Sequence, residues 1–440
     1  MGKSTAAEQF VAGTGIPYVF ATGLYRQPVK AQLAAASEAF RESAHPLPGL
    51  DASAVAETWR EWLGQVALAA TEGPVVVVLD EFPWMAGGDA SSLANLEGIL
   101  QSSWDRTLSK LPVLLILIGS DIAVMEQLGQ HDRPLYGRFQ PLVVPSLNPG
   151  EVAQGMAGAA SIDVWDAYLL TGGYPRLLSS LAMTGDTPAQ WARRSLSDAT
   201  APWVVTARLA FDAEIADSAA AYRVLSSLGA AERGELNLGS VAAKTSTTGV
   251  ATKTEQTAAL RALHHLREKG LIDVDEPAWA TSSRLRRYRV ADTYLRVWFR
   301  YVEKHQGVIA RGRGDIAANA FDRDWPTFRG ILVEPAVREA LLRIARTDAR
   351  LAGTEDVRPW WTRDGQKEVD AVGMGRYRST FIGTIKWRVS RGVTENDVRA
   401  LIAADTPRAD DAAVVAVCPS GEVPSSAVGF SAADLLTAWS

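Results

Sequence analysis

The feature that most narrows the fold is Val75-Val76-Val77-Val78-Leu79, five apolar residues in unbroken succession, followed at once by Asp80-Glu81. A strand with one wet face would alternate. This run does not, and with Gly73-Pro74 before it and Pro83 after, it reads as a strand buried on both faces, the environment of a parallel sheet. Pro112-Val113-Leu114-Leu115-Ile116-Leu117-Ile118 repeats the pattern and ends in Gly119-Ser120-Asp121. Residues 17–21 and 141–145 read as two further strands, with helices over 38–43, 55–70 and 91–108 between. Alternating strands and helices predict an α/β fold, a parallel sheet covered on both sides.

Two carboxylates at the end of such a strand are either the solvated end of a core strand or part of a site. The chain begins Met1-Gly2-Lys3-Ser4-Thr5, which matches the last part of a Walker A phosphate loop, G-x-x-x-x-G-K-S/T. In the whole motif backbone N–H groups wrap phosphates, the lysine reaches the β and γ positions, and the hydroxyl holds magnesium. Gly2, Lys3, Ser4 and Thr5 would form the nucleotide-binding half, with Ser4 on the metal. Asp80 would share the magnesium shell, and Glu81 would polarise the attacking water. Ser120, at the tip of the next strand, is the candidate to touch the γ-phosphate or that water. The loop's first half and the strand feeding it would precede Gly2, so the expectation is a start codon called late or a truncated gene. Without that strand the sheet would lack its centre and leave backbone groups unpaired.

Asp80-Glu81-Phe82-Pro83-Trp84, Gly119-Ser120, Pro134-Leu135-Tyr136-Gly137-Arg138 and Gly172-Gly173-Tyr174-Pro175-Arg176 together resemble, in this order, the archaeal-type ATPase branch of the AAA+ class. The stretch Tyr288-Arg289-Val290-Ala291-Asp292-Thr293-Tyr294-Leu295-Arg296-Val297-Trp298-Phe299 resembles the signature of that family's C-terminal region. The resemblance therefore runs over nearly the whole chain. It implies a P-loop ATPase core over 1–147, a helical lid over 148–215, and ATP with Mg2+ as cofactors. The lid would open at Asn148-Pro149-Gly150-Glu151, with Pro149 in the first turn. Arg138 and Arg176 are the candidate phosphate sensors, because the guanidinium fork suits phosphate. In related ATPases a neighbouring subunit's arginine completes the site, which makes a homo-oligomer the matching assembly. Each arginine reads equally as a surface cation beside a carboxylate.

Residues 216–290 follow the order of a winged helix: helices over 218–229, 238–244 and 254–269, then a charged hairpin. Leu260, Leu263 and Leu266 recur at helical spacing and are expected to face its core. Lys253, Thr254, Gln256 and Arg261 decorate the third helix, while Arg284, Arg286, Arg287 and Arg289 crowd the second wing strand. Polar and basic side chains so placed suit double-stranded DNA as a partner. Winged helices also serve as protein-docking modules.

The last region, 291–440, resembles a restriction-endonuclease-like fold. Glu334 lies on a helix expected over 331–345, Asp370 on a strand, and Thr384-Ile385-Lys386 on the next. In that fold the carboxylates bind magnesium and the lysine steadies water or phosphate. Thr384 stands where the motif needs Glu, and a hydroxyl is a poor magnesium ligand. The expectation is a degenerate site that still binds nucleic acid.

Composition sets the remaining bounds. At 440 residues the chain exceeds one core and should form two to three domains. Its single cysteine, Cys418, forms no internal disulfide, which suits a reducing cytoplasm. No apolar stretch approaches the roughly 20 residues that cross a bilayer. The net charge of −5 argues against a uniformly nucleic-acid-coating surface, yet residues 253–313 hold 13 Lys/Arg against 7 Asp/Glu. The five histidines show no zinc spacing. Three functional readings stand: an ATP-hydrolysing switch associated with DNA, a non-hydrolysing nucleic-acid or protein-binding module, and an ATP-controlled magnesium nuclease.

Overall fold

A computed structural model describes residues 2–50, 55–88, 90–119, 122–214, 219–233, 235–246 and 248–439. The chain divides into two compact units, Met1–Pro145 and Ser146–Ser440. In the first, helices α1 (Lys3–Thr14), α2 (Val29–Glu42), α3 (Trp59–Ala69), α4 (Ala90–Arg106) and α5 (Ile122–Gln127) accompany a parallel sheet of order β1-β2-β3. The strands are β1 (Tyr18–Thr22), β2 (Val75–Asp80) and β3 (Val113–Leu117). The unbroken apolar run is β2, and all six of its residues are buried. Parity divides them: Val75, Val77 and Leu79 pack with α2, α3 and α4, while Val76 and Val78 pack with Val11 of α1 and with Ile118.

The strand expected at 141–145 does not form. Leu142 is 86% exposed and Val143 72%, in chain without regular structure. Among the described residues β3 pairs only with β2, and its Leu114 is half-exposed, so residues 141–145 have no strand partner to bond.

The second unit begins with α6 (Pro149–Gly155), whose Asn148 cap and Glu151 form the reciprocal hydrogen bonds of a capping box. Then come α7 (Ser161–Thr171), α8 (Pro175–Ala182), α9 (Pro188–Ser195) and α10 (Pro202–Glu214). Helices α11 (Ala219–Gly229), α12 (Leu238–Thr245) and α13 (Lys253–Glu268) follow. They pack with an antiparallel sheet of order β4-β6-β5, from β4 (Glu235–Leu236), β5 (Ile272–Asp275) and β6 (Arg287–Val290). On α13 the buried positions are Ala259, Leu263 and Leu266. Leu260 is 47% exposed, against expectation, because the helix turns that position to the solvent side of the Leu263–Leu266 stripe.

Short helices α14 (Thr293–Val297) and α15 (Gln306–Ile309) lead to α16 (Gly314–Ile344), 31 residues long, which begins well before the expected 331. The last sheet has the order β11-β10-β9-β8-β7. Its strands are β7 (Asp356–Trp361), β8 (Glu368–Met374), β9 (Ser379–Ile385), β10 (Ala413–Val417) and β11 (Val428–Phe430), antiparallel from β7 to β9 and parallel from β9 to β11. Helix α17 (Glu395–Ile402) follows β9, and α18 (Ala432–Leu436) follows β11. One core joins α6–α10, the α11–β6 segment, α16 and one face of this sheet.

That core contains an ion pair, Arg329 Nη1 donating to Asp166 Oδ2 at 2.8 Å, both residues buried. Burial raises the Asp166 pKa from 3.8 to about 6, against the opposing pull of Arg329. The folded state thus binds this proton more tightly than the unfolded chain. The group's contribution to stability is full below 3.8 and is lost as pH rises towards 6. In Asp166→Asn that downward slope should vanish from the pH profile of thermal unfolding; an unchanged profile contradicts the assignment.

Candidate nucleotide site and a second carboxylate cluster

Only Gly15-Ile16-Pro17 separates α1 from β1, so α1 runs antiparallel to the strands. Its first turn therefore lies at the end of the sheet where β2 delivers Asp80. Gly2, before that turn, takes φ 102°, a backbone state that costs glycine little, and no side chain caps the helix. Lys3, Ser4 and Thr5 occupy the first turn, where backbone N–H groups and the helix dipole favour an anion.

Asp80 is 6% exposed, and its Oδ1 has no hydrogen-bond partner among the described residues. Its backbone carbonyl accepts from Gly23 N at 2.8 Å. A buried carboxylate oxygen without a donor is costly unless a cation meets it, so this atom fits a magnesium ligand. Glu81 takes φ 50°, ψ 45°, a left-handed state that is strained for a side-chain-bearing residue. Gly23 abuts it: a Cβ there would stand 2.5 Å from the Glu81 carbonyl oxygen.

Gln32 fixes this corner, and sequence reasoning missed it. From α2, its amide Nε2 donates to the carbonyls of Leu24 at 2.6 Å and Trp84 at 3.0 Å, and its Oε1 accepts from Leu24 N at 2.8 Å. The buried amide ties the loop after β1 to the turn after Glu81. A lone glutamine at a helical core position was the available signal.

Ser120 lies outside the described residues. Arg138 forms a fork with Asp105, Nε to Oδ1 and Nη2 to Oδ2, both at 2.9 Å, and this bond holds the Asp105 carboxyl below its ordinary pKa. Its neighbour Arg133 pairs with the fully buried Glu97. Arg176 sits exposed in the first turn of α8, in the second unit, with no ion pair among the described residues.

Lys253 and Arg261 project from the exposed side of α13, and Arg284 is exposed near the tip of the β5–β6 hairpin. The other hairpin arginines meet carboxylates. Arg286 bonds to Glu276, Arg289 to Asp273 and Asp275, and Arg287 donates to Glu235 at 2.7 Å and Glu368 at 2.8 Å while lying 4.0 Å over the Trp361 ring. Past β5 the chain docks on the last sheet: Ala278 N donates to Pro359 O at 2.8 Å, and Trp279 Nε1 to Ser379 Oγ at 2.9 Å.

The C-terminal residues singled out by sequence converge. Asp370 Oδ2 accepts from Ile385 N at 2.7 Å and from Thr384 Oγ1 at 3.1 Å, and Lys386 Nζ stands 3.6 Å from the same oxygen. Arg338 Nη1 donates to the Asp370 carbonyl at 3.0 Å and lies 3.5 Å from Glu334 Oε2. Burial, then the nearby Asp370, pushes the Glu334 pKa up to about 8. Among the described residues no group of three His, Cys, Asp or Glu is placed to hold a metal. Two carboxylates and a hydroxyl already donating to one of them fit magnesium poorly. Thr384→Glu should therefore raise magnesium affinity at least tenfold by calorimetry; an unchanged affinity would mean that residues 370 and 384 do not share one metal position.

A family model described as "Archaea bacterial proteins of unknown function" matches residues 298–401. No curated protein matches. Among solved structures, the chain is similar to a Walker-type ATPase of Pyrococcus abyssi at 16% identity and TM-score 0.47, over 68% of this chain and 87% of that one. It is also similar to the Aeropyrum pernix ORC1 protein, solved in complex with DNA, at 14% identity and TM-score 0.31, over 72% and 85%. The ORC2 protein of the same organism gives 14% and 0.28, over 72% and 85%. At such scores these likenesses carry no inference about what this chain does.

Proposed function

We propose that the chain is an AAA+-type ATPase, a nucleotide-dependent switch that binds ATP with magnesium and is associated with DNA. The observation that carries this reading is the buried, partnerless Oδ1 of Asp80 at the same end of a parallel sheet as the Gly2-Lys3-Ser4 helix start. Lys3 and the first-turn N–H groups would hold phosphate, Ser4 and Asp80 would hold Mg2+, and Glu81 would orient and deprotonate water. Magnesium would screen the phosphate charge during transfer. Arg138, released from Asp105, is the cation assigned to the γ-phosphate.

Titration of ATP with magnesium tests the reading: saturable binding that weakens in Asp80→Ala is expected, and binding indifferent to the Asp80 carboxylate favours the non-hydrolysing module.

The α11–β6 segment is read as a winged helix that presents Lys253, Arg261 and Arg284 to double-stranded DNA. The C-terminal sheet is read as a restriction-endonuclease-like fold whose site has lost its magnesium, supported by the bonded state of Asp370 and the Thr384 hydroxyl. The ATP-controlled nuclease is the weaker reading on that ground.

A further inference from the structure

At the C-terminal end of α16 lies a cavity of about 730 Å³, walled by the last residues of that helix, the turn that follows it and residues 437–439. Its charged lining is Arg343, Arg346 and Arg350 against one carboxylate, Asp348. No residue of the nucleotide site or of the Asp370 cluster reaches it. The guanidinium of Arg343 stands 5.6 Å over the Trp439 ring and that of Arg350 5.0 Å over the Phe430 ring, contacts that pre-position both side chains. Arg350 is forked to Asp348, Nε donating to Oδ1 at 2.9 Å and Nη2 to Oδ2 at 2.5 Å. Arg343 gives its Nε to Glu339 at 2.6 Å, and among the described residues its two terminal nitrogens make no hydrogen bond. Arg346 is exposed and forms no ion pair among the described residues. The carbonyls of Leu341, Arg343 and Ile344 at the helix end, which would repel an anion, already accept from the N–H groups of residues 345–348.

We propose that this cavity binds a small phosphate-bearing ligand through Arg346 and the uncommitted donors of Arg343, with Arg350 completing the positive wall. The site stands apart from the proposed ATP site and does not depend on it. Phosphate is favoured over carboxylate by geometry. A phosphate group presents three oxygens in a tetrahedral array and accepts from several guanidinium groups at once, whereas a carboxylate presents two in one plane and is satisfied by a single fork. Asp348 on Arg350 is that second case within the protein itself. Size favours a small molecule over a nucleic-acid strand. The volume falls within the range of small-molecule sites, about 300–1,000 Å³. The cations are also gathered in one depression, where a strand would need them spread along a track with bases stacked beside it.

The test is calorimetric titration of inorganic pyrophosphate into the full chain in EDTA. Wild type should bind with saturation. Arg346→Ala and Arg343→Ala should each weaken binding about tenfold, the worth of one hydrogen bond to a charged group, with thermal unfolding of the exposed Arg346 variant unchanged. Arg346→Lys should recover only part of the loss, because it keeps the charge but not the fork. Lys3→Ala should leave this binding in place. If Lys3→Ala abolishes it while both arginine variants bind as wild type does, the anion sits at the start of α1; the cavity proposal is then wrong and the ATP reading survives. Citrate bound as tightly as pyrophosphate overturns the assignment to phosphate. A short DNA duplex that displaces pyrophosphate from wild type makes the site a nucleic-acid contact and overturns the small ligand. Wild type that shows no saturable binding overturns the proposal outright.

Discussion

In a variant given a strand and Gly-x-x-x-x ahead of Gly2, Glu81→Gln should lower ATP turnover by about 10²–10⁴-fold, the usual share of a general base. ATP affinity should change little. The amide fills the same space and keeps the left-handed backbone at φ 50°, but it cannot take a proton from water. Phosphate release at saturating ATP measures the first quantity, and binding of a non-hydrolysable analogue the second. Undiminished turnover would remove Glu81 from the site. A parallel loss of analogue binding would instead point to collapse of the corner built by Gly23 and Gln32.

Trp165→Ala should cost about 3–5 kcal/mol, the range for truncating a large buried aromatic. Trp165 is fully buried on α7, its indole N–H donates to Ala432 O at 3.0 Å, and it meets Trp387 and Trp439 edge-on with ring centroids 5.5 and 6.0 Å away. It thereby joins residues of the expected lid to the segment just after β9, to α18 and to the residues that follow α18. Denaturant unfolding of wild type and variant is the check. A loss under about 1 kcal/mol would mean that the surrounding residues refill the space.

These two residues show what sequence could and could not reveal. The parity of β2, and the acids at its end, were legible because an apolar run between glycine-proline punctuation has few folds open to it. The convergence of Glu334, Asp370, Thr384 and Lys386 was legible as order along the chain. Trp165 carries no comparable signal, because Ala432, Trp387 and Trp439, which it meets, lie more than 200 residues away and no local period records them. The strand expected at 141–145 failed for a related reason. Its residues have strand chemistry, but a strand exists only with a neighbour to bond, and pairing is a property of the sheet. Leu260 failed by one turn position, since Ala259 served the core in its place. The hairpin arginines 286, 287 and 289 looked like free cations in sequence. Their carboxylates, Glu276, Glu235, Glu368, Asp273 and Asp275, lie on neighbouring strands and turns and answer most of that charge. Among the described residues Lys253, Arg261 and Arg284 form no ion pair and are exposed.

Calorimetric titration of ATP with magnesium into the variant extended ahead of Gly2 tests the central assignment most directly. Asp80→Ala and EDTA serve as paired controls. The expected result is saturable binding that falls at least tenfold on removing either the Asp80 carboxylate or the metal, with no further loss when both are removed, because the two act as one contact. Equal affinity in wild type, in Asp80→Ala and in EDTA would contradict it and leave the buried oxygen of Asp80 without a nucleotide role.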